Sequence, residues 1–323
     1  MKKILFCLLI ALTLSCSKEN ETIEELPIPP TSNQFLTYPS GTGTSGDPVT
    51  GVLGYGYMAT GLIDTLSVRN RVLNLSEPRD YIIYPLSINE PGYFFSGKNY
   101  QDFIKPQQYQ PSWVGLTGHI KKLMKLSFDT IEPDKSYAYY SHFIYSKKGK
   151  FDFYNSCSDT ILTTEFLNDV AILTAAQLVS KYGTHVLINV NYGTRFEAVY
   201  KGKVVPAEDY VIQKSMLNRM TQLLGYTEGV YLGNPSTDYT QTDEEIVFNS
   251  LGSAVKIFQT IKVTDNNPNH IFINQHDLYA ENVRYQFIDF DMENGIKPLY
   301  LFVNNPEKKE ILKNYIDLYL LQH

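Results

Sequence analysis

Only three cysteines occur in the 323 residues. Cys7 lies within the N-terminal apolar run, and Cys16 follows it. Removal of the run as a leader, with Cys16 modified, strands Cys157 and excludes a disulfide framework. Stability must then come from an ordinary hydrophobic core, which the remaining length can supply. The apolar run, Ile4 to Leu14, is about half the ~20 residues that a membrane-spanning helix requires. A block of basic residues is also missing. Lys and Arg number 28 against 34 Asp and Glu, and the formal charge of −6 falls to −8 when Lys2 and Lys3 leave with the leader. A mildly acidic chain of this kind excludes nucleic acid as a partner.

Catalytic and cofactor motifs are equally scarce. Gly51, Gly54, Gly56 and Gly61 do not sit between a strand and a helix as a dinucleotide fingerprint demands, and strand turns account for them. Gly41 and Gly46 have P-loop spacing, but Asp47 stands where the phosphate-binding lysine belongs. His270 and His276 lack zinc-ligand spacing. Asp289, Asp291 and Glu293 are candidate calcium ligands, although without the glycine and span of an EF-hand loop a solvated strand edge explains them better. No Gly-x-Ser-x-Gly elbow is present, and Cys157 lies in no nucleophile motif. The expectation is a protein without catalytic residues, metal or cofactor.

What is present begins with Lys2-Lys3, the apolar run and Ser15-Cys16, the pattern of a bacterial lipoprotein leader over residues 1–15 with Cys16 as the lipidated residue. An ordinary secretory leader with an incidental cysteine is the alternative. Ser17-Lys18-Glu19-Asn20-Glu21 resembles signals that send lipoproteins to the outer face of the outer membrane. Residues 16–50, with Leu26-Pro27-Ile28-Pro29-Pro30 and Gly41 to Gly46, read as a flexible tether.

Beyond the tether, 25 Tyr and 17 Phe favour strands with wide half-buried faces. Strands are expected at Leu53–Tyr57, Tyr81–Tyr84 and Tyr137–Tyr145. Another is expected at Met124–Asp129, where Met124, Leu126 and Phe128 alternate with Lys125, Ser127 and Asp129. Phe166, Val170 and Leu173 behind Thr163 predict a helix. A second starts at Thr174 with Gln177 completing a capping box, and Gly183 ends it in the left-handed conformation. Val186, Ile188, Val190 and Tyr192 predict a strand with one apolar face. Ile212, Met216, Met220 and Leu223 have helical period, and Gly225 to Glu245 is polar. Strands are expected again between Val255 and Val263 and between Arg284 and Val303. Asn305-Pro306-Glu307 opens a last helix carrying Ile311, Tyr315, Ile316 and Tyr319.

One constellation is more specific. Tyr182-Gly183-Thr184-His185-Val186, followed six residues later by Gly193-Thr194-Arg195, resembles the signature of the membrane attack complex/perforin (MACPF) family: aromatic, Gly, Thr or Ser, His, aromatic, six residues, Gly-Gly. Local physics also allows a helix-ending glycine leading into a strand, with His185 a satisfied core residue. Leu53 to Gly61 resembles the opening strand of bacterial surface members, and Gly295 to Tyr300 with the helix after Pro306 resembles the end of their domain. The likeness spans about residues 51–323, which leaves no room for the C-terminal domain that many relatives use for target binding. Val186 replaces an aromatic, and Thr194 replaces the second glycine. If that glycine serves a bend, the hinge here is stiffer.

The resemblance implies an α+β fold like that of MACPF proteins and cholesterol-dependent cytolysins: a bent, twisted, antiparallel four-stranded sheet flanked by two helical clusters. By position the clusters are about 97–133 and 204–248, and His185 lies on the middle strand. In pore formers the clusters refold into membrane-spanning hairpins of a homo-oligomeric ring. Lys121, Lys122, Pro106 and Pro111 interrupt the first as a membrane hairpin, and Gly233-Asn234-Pro235 and Asp243-Glu244-Glu245 interrupt the second. The expected partners are a target membrane lipid or surface receptor and other copies of the chain. The functions in view are membrane attack, including antibacterial attack, from the outer membrane surface or after release, and non-lytic adhesion or recognition. A glycan-processing lipoprotein would need a pair of essential carboxylates, which the sequence does not nominate.

Overall fold

A computed structural model describes residues 51–75, 81–105, 112–153, 161–224, 240–252, 261–264 and 286–323. Cys16, the leader, the tether, Pro106, Pro111, Cys157, Gly233-Asn234-Pro235, His270 and His276 lie outside these residues.

Four long strands form the body of the protein. They are β3 (Tyr81–Gly97), β4 (Ser136–Phe151), β6 (Asn189–Val205) and β7 (Thr240–Leu251). Each pairs with the next in antiparallel fashion, in the order β3-β4-β6-β7, and β8 (Ile261–Thr264) adds to the outer edge of β7 over Glu245–Phe248. The lower part of β6 instead takes β9 (Phe287–Phe290) as its neighbour, through Val190↔Phe290 and Asn191↔Asp289. A small second sheet has the order β10 (Ile296–Pro298), β5 (His185–Leu187), β1 (Tyr55–Tyr57), β2 (Val68–Arg71).

In two of the three connections between long neighbouring strands, helices pack against the large sheet. Between β3 and β4 lie α1 (Tyr100–Phe103) and α2 (Trp113–Ser127), and between β6 and β7 lies α5 (Asp209–Leu224). Side chains on a strand alternate between faces, so the two helical segments take opposite sides of the sheet. Phe196, Ala198 and Tyr200 of β6 pack with Ile212, Met216 and Met220 of α5. The intervening Glu197 faces His119 of α2. Among the described residues no helix is long and apolar enough to cross a membrane.

Several expectations are corrected here. Met124–Asp129 is not a strand, because Leu116, Ile120, Leu123 and Met124 are buried at helical spacing along α2 and override the short alternation, leaving Leu126 exposed. The second connection is shorter than residues 204–248, since β7 begins at Thr240; Asp243-Glu244-Glu245 is therefore strand, with Glu244 buried against Tyr200 and Arg219. His185 is not on the middle strand of the large sheet. It belongs to β5, and the chain turns at Ile188 before β6 begins. Both faces of Val186–Tyr192 are buried, not one. The last helix, α6 (Pro306–Gln322), starts as expected, with Asn305 accepting from the Lys308 N–H, but it buries Leu312, Ile316 and Tyr319 and exposes Ile311.

The two middle helices keep to the pattern. Thr163 caps α3 (Thr164–Ile172), and Thr174 and Gln177 close both halves of a capping box on α4 (Ala175–Tyr182).

Candidate functional site

The signature residues meet the opening strand through backbone contact. Gly183 has φ 77° and ψ −172°, so it ends α4 with positive φ but not in the left-handed helical conformation expected. The closeness of β1 explains the glycine. A Cβ on Gly183 would lie 2.5 Å from the Tyr57 carbonyl, and one on Gly56 would lie 1.8 Å from the Tyr182 carbonyl oxygen. Thr184 then ties the segments together, accepting from the Ala59 N–H at 3.1 Å. His185 is buried with its Nδ1 2.9 Å from Thr184 Oγ1, and burial lowers its pKa to about 3, so the ring is neutral. Its place is that of a satisfied core residue. Val186 pairs with Gly56 on one side and Lys297 on the other.

Gly193 sits where the large sheet changes partners. Register shifts cross the sheet along one line, between Pro85 and Ile88 on β3, Tyr145 and Lys147 on β4, and Asn191 and Tyr192 on β6. A Cβ at Gly193 would lie 1.9 Å from the Ile144 carbonyl oxygen, and one at Gly252 would lie 2.2 Å from the Gly193 carbonyl oxygen. Bulges of this kind bend a strand and increase its twist. Thr194 needs no glycine, because its hydroxyl donates to the Gly252 carbonyl at 3.1 Å. The close approach falls instead to Gly252, at the end of β7. Gly193→Ala should therefore cost about 2–3 kcal/mol through a forced backbone shift, and Thr194→Gly about 1 kcal/mol. Urea unfolding midpoints of the two variants check the order.

The residue after Thr194, Arg195, leads to a buried polar cluster. Arg195 and Glu197 point to the α2 face of β6, and both are buried. Glu197 Oε2 accepts from Tyr139 at 2.9 Å and lies 2.8 Å from His119 Nε2, while Oε1 accepts from Asn249 at 2.6 Å. Arg195 Nη1 donates to the carbonyls of Ile63 and Ile288 at 2.9 and 2.6 Å, and its Nε stands 3.2 Å from Glu197 Oε2 without hydrogen-bond alignment. The Ile63 N–H in turn donates to His119 Nδ1 at 3.1 Å. With Nδ1 accepting, the Nε2 proton is the one given to Glu197. Burial alone would raise the Glu197 carboxyl, but the Arg195 guanidinium and His119 overcome it and hold the group well below the ordinary carboxylate range. Helix α2, the Met58–Asp64 loop and the sheet are thus joined through one carboxylate. The partners of Glu197 all come from inside the fold, so the cluster is a fastening.

Asp289 and Asp291 part company. Asp289 is 2% exposed, which overturns the expected solvated strand edge. Asp291 accepts from the N–H groups of Glu293 and Asn294 and pairs with Lys148 at 3.2 Å. Among the described residues no three His, Cys, Asp or Glu side chains converge as metal ligands.

No family model matches the sequence, and no curated protein matches it. Solved structures do. One is a protein with a MAC/Perforin domain from Bacteroides thetaiotaomicron, with TM-score 0.61 at 14% identity over 85% of this chain and 61% of that chain. Another is GNIP1Aa from Chromobacterium piscinae, with TM-score 0.63 at 13% identity over 85% of this chain and 56% of that chain. The chain therefore spans about three fifths of the length of these two structures. Together with the four long antiparallel strands and the two helical segments inserted between them, the likeness gives the chain the α+β MACPF fold.

Proposed function

We propose that this chain is a lipid-anchored surface protein that attacks membranes by forming an oligomeric pore. The supporting observation is that each helical segment closes a hairpin between two paired long strands. Gly97 pairs with Tyr137 at one mouth and Val205 with Thr240 at the other. A segment so placed can refold as an extension of both strands while the sheet stays paired, as a membrane strand requires. Residues 98–135, divided in two, give strands roughly twice the ~9–11 residues that a tilted membrane strand needs, and residues 206–239 give roughly one and a half times that length. Outside β4, β3 carries no further strand among the described residues and exposes Ile82 and Ile88, an open apolar edge suited to pairing with another copy. Anchoring rests on the leader and Cys16, and attack on competing bacteria is the target class that fits a surface lipoprotein.

The charged character of the segments favours a second reading, non-lytic adhesion, in which the fold is retained without insertion. Leakage of dye from liposomes made of target-cell lipid separates the two. The mechanistic test fastens the second segment. Ser96 Oγ on β3 lies 3.0 Å from Asp209 Oδ1 at the start of α5, so Ser96→Cys with Asp209→Cys, in a Cys157→Ser background, places two thiols side by side. Oxidation should abolish leakage and reductant should restore it. Undiminished leakage from the oxidised protein rules out refolding of this segment.

A further inference from the structure

A cavity of about 330 Å³ opens on the sheet where β3, β4 and β9 meet, across the line of bulges. Its size is at the lower end of the range for small-molecule sites. Three tyrosines, Tyr84, Tyr93 and Tyr145, supply aromatic wall, and Asp289 lies at its inner side. The Asp289 carboxylate is buried, and its Oδ2 accepts from the Tyr93 and Tyr145 hydroxyls at 3.3 and 3.2 Å. Its Oδ1 has no aligned hydrogen-bond partner, while the neighbouring Phe290 N–H and the Arg195 guanidinium offset part of the effect of burial on the carboxyl. A buried acceptor left so costs about 1–3 kcal/mol, and the β6–β9 pairing, made by backbone, does not use it.

Charge identifies what the cavity suits. Glu90, Asp289 and Asp291 line it against one cation, Lys148, which is already paired with Asp291. Arg195, the other charge near Asp289, spends Nη1 on two backbone carbonyls. The cavity is therefore anionic with aromatic walls, the combination that receives an organic cation through its counter-ion and the π faces. The carboxylates do not converge as metal ligands.

We propose that this cavity binds a small organic ammonium group, with Asp289 as its counter-ion and the tyrosine rings as its walls. The site does not depend on membrane insertion. Burial raises the Asp289 carboxyl to about 7, so proton and ligand compete, and affinity should increase as pH rises from about 6 to about 8.

The test titrates the full chain with choline and with ethanolamine at about pH 8, by calorimetry, with tert-butanol as the uncharged control. Saturable millimolar binding of an ammonium is expected, weakened about tenfold or more by Asp289→Asn and several-fold by Tyr145→Phe. Asp289→Asn is isosteric, and its melting curve shows that loss of binding is not loss of fold. Three results overturn the proposal: no saturable binding of either ammonium, equal affinity in Asp289→Asn, or equal affinity for tert-butanol. Sedimentation with phosphatidylcholine vesicles and not with phosphatidylglycerol vesicles, lost in Asp289→Asn, assigns a lipid headgroup as the source. Binding of the free amine without vesicle capture assigns a soluble one.

Discussion

Glu197→Ala should destabilise the folded protein by about 3–5 kcal/mol, the cost of removing one partner from a buried ion pair. For a domain of this size that lowers the melting midpoint by roughly 6–20 °C. The magnitude follows from what is left behind. Arg195 stays buried with two carbonyls as hydrogen-bond partners and only the more distant Asp64 and Asp289 to answer its charge, Asn249 and Tyr139 lose an acceptor, and His119 loses the group that holds its Nε2 proton. Glu197→Gln keeps the shape and some of the hydrogen bonds, and should fall between wild type and alanine. The loss is also local. His119 is the buried polar contact of α2 with β6, so amide exchange in α2 should accelerate more than exchange in α4. A change below about 1 kcal/mol would mean that Arg195 finds water in the variant, and the fastening role would fail.

The same carboxylate fixes a sign for pH. Its folded value is depressed, so its contribution is fully present above the unfolded carboxyl value of about 4.3 and is lost as pH falls below that towards the folded value. His185 acts in a neighbouring window. Buried and neutral with a folded value of about 3, it favours the folded state fully above its unfolded value of about 6.5, and that contribution is lost as pH falls from there towards 3. Both terms weaken the fold in acid.

How much of this was legible in the sequence depends on the range of each interaction. The capped helices α3 and α4 and the proline start of α6 are local events, written in Thr163, Thr174-x-x-Gln177 and Asn305-Pro306, and they stand in the structure as read. The α+β MACPF fold was legible through resemblance, not through periodicity. Three alternating pairs at Met124–Asp129 misled because a strand signal of that length is weaker than four buried residues at helical spacing. The sheet to which His185 belongs is not legible locally, because nothing nearby in sequence marks the break at Ile188, where the N–H groups of Ile188 and Asn189 donate to the Gly295 carbonyl more than a hundred residues away. Glycines were visible but not their reasons: Gly56 is explained by the Tyr182 carbonyl, Gly183 by the Tyr57 carbonyl and Gly252 by the Gly193 carbonyl. The buried cluster left a partial signal. Arg195 and Glu197 flank Phe196 at i, i+2 on one strand, so a paired charge on one face was inferable, but His119, Asn249 and Ile63 come from elements that only folding brings together.

Asp289→Asn should move stability in the opposite direction. Asp289 is an acid whose folded value is raised, to about 7, so the folded state binds its proton more tightly than the unfolded chain does. Above the folded value the group must be ionised in a desolvated site with Oδ1 lacking an aligned hydrogen-bond partner, and the wild type carries the whole penalty. Below the unfolded value of about 3.9 the group is protonated in both states and the penalty vanishes. Asparagine is neutral throughout, and its amide can still take the Tyr93 and Tyr145 hydroxyls on the oxygen. The variant should therefore be more stable than wild type by roughly 2–4 kcal/mol at about pH 8, with the gain shrinking through pH 7 and approaching zero near pH 4. Because His185 loses stability over part of that interval, the absolute curves obscure the effect and the difference between the two proteins isolates it. Urea unfolding of both proteins across this range checks it, and a pH-independent difference would mean that Asp289 does not titrate there. A native carboxylate whose isosteric replacement strengthens the fold is one that stability alone does not explain.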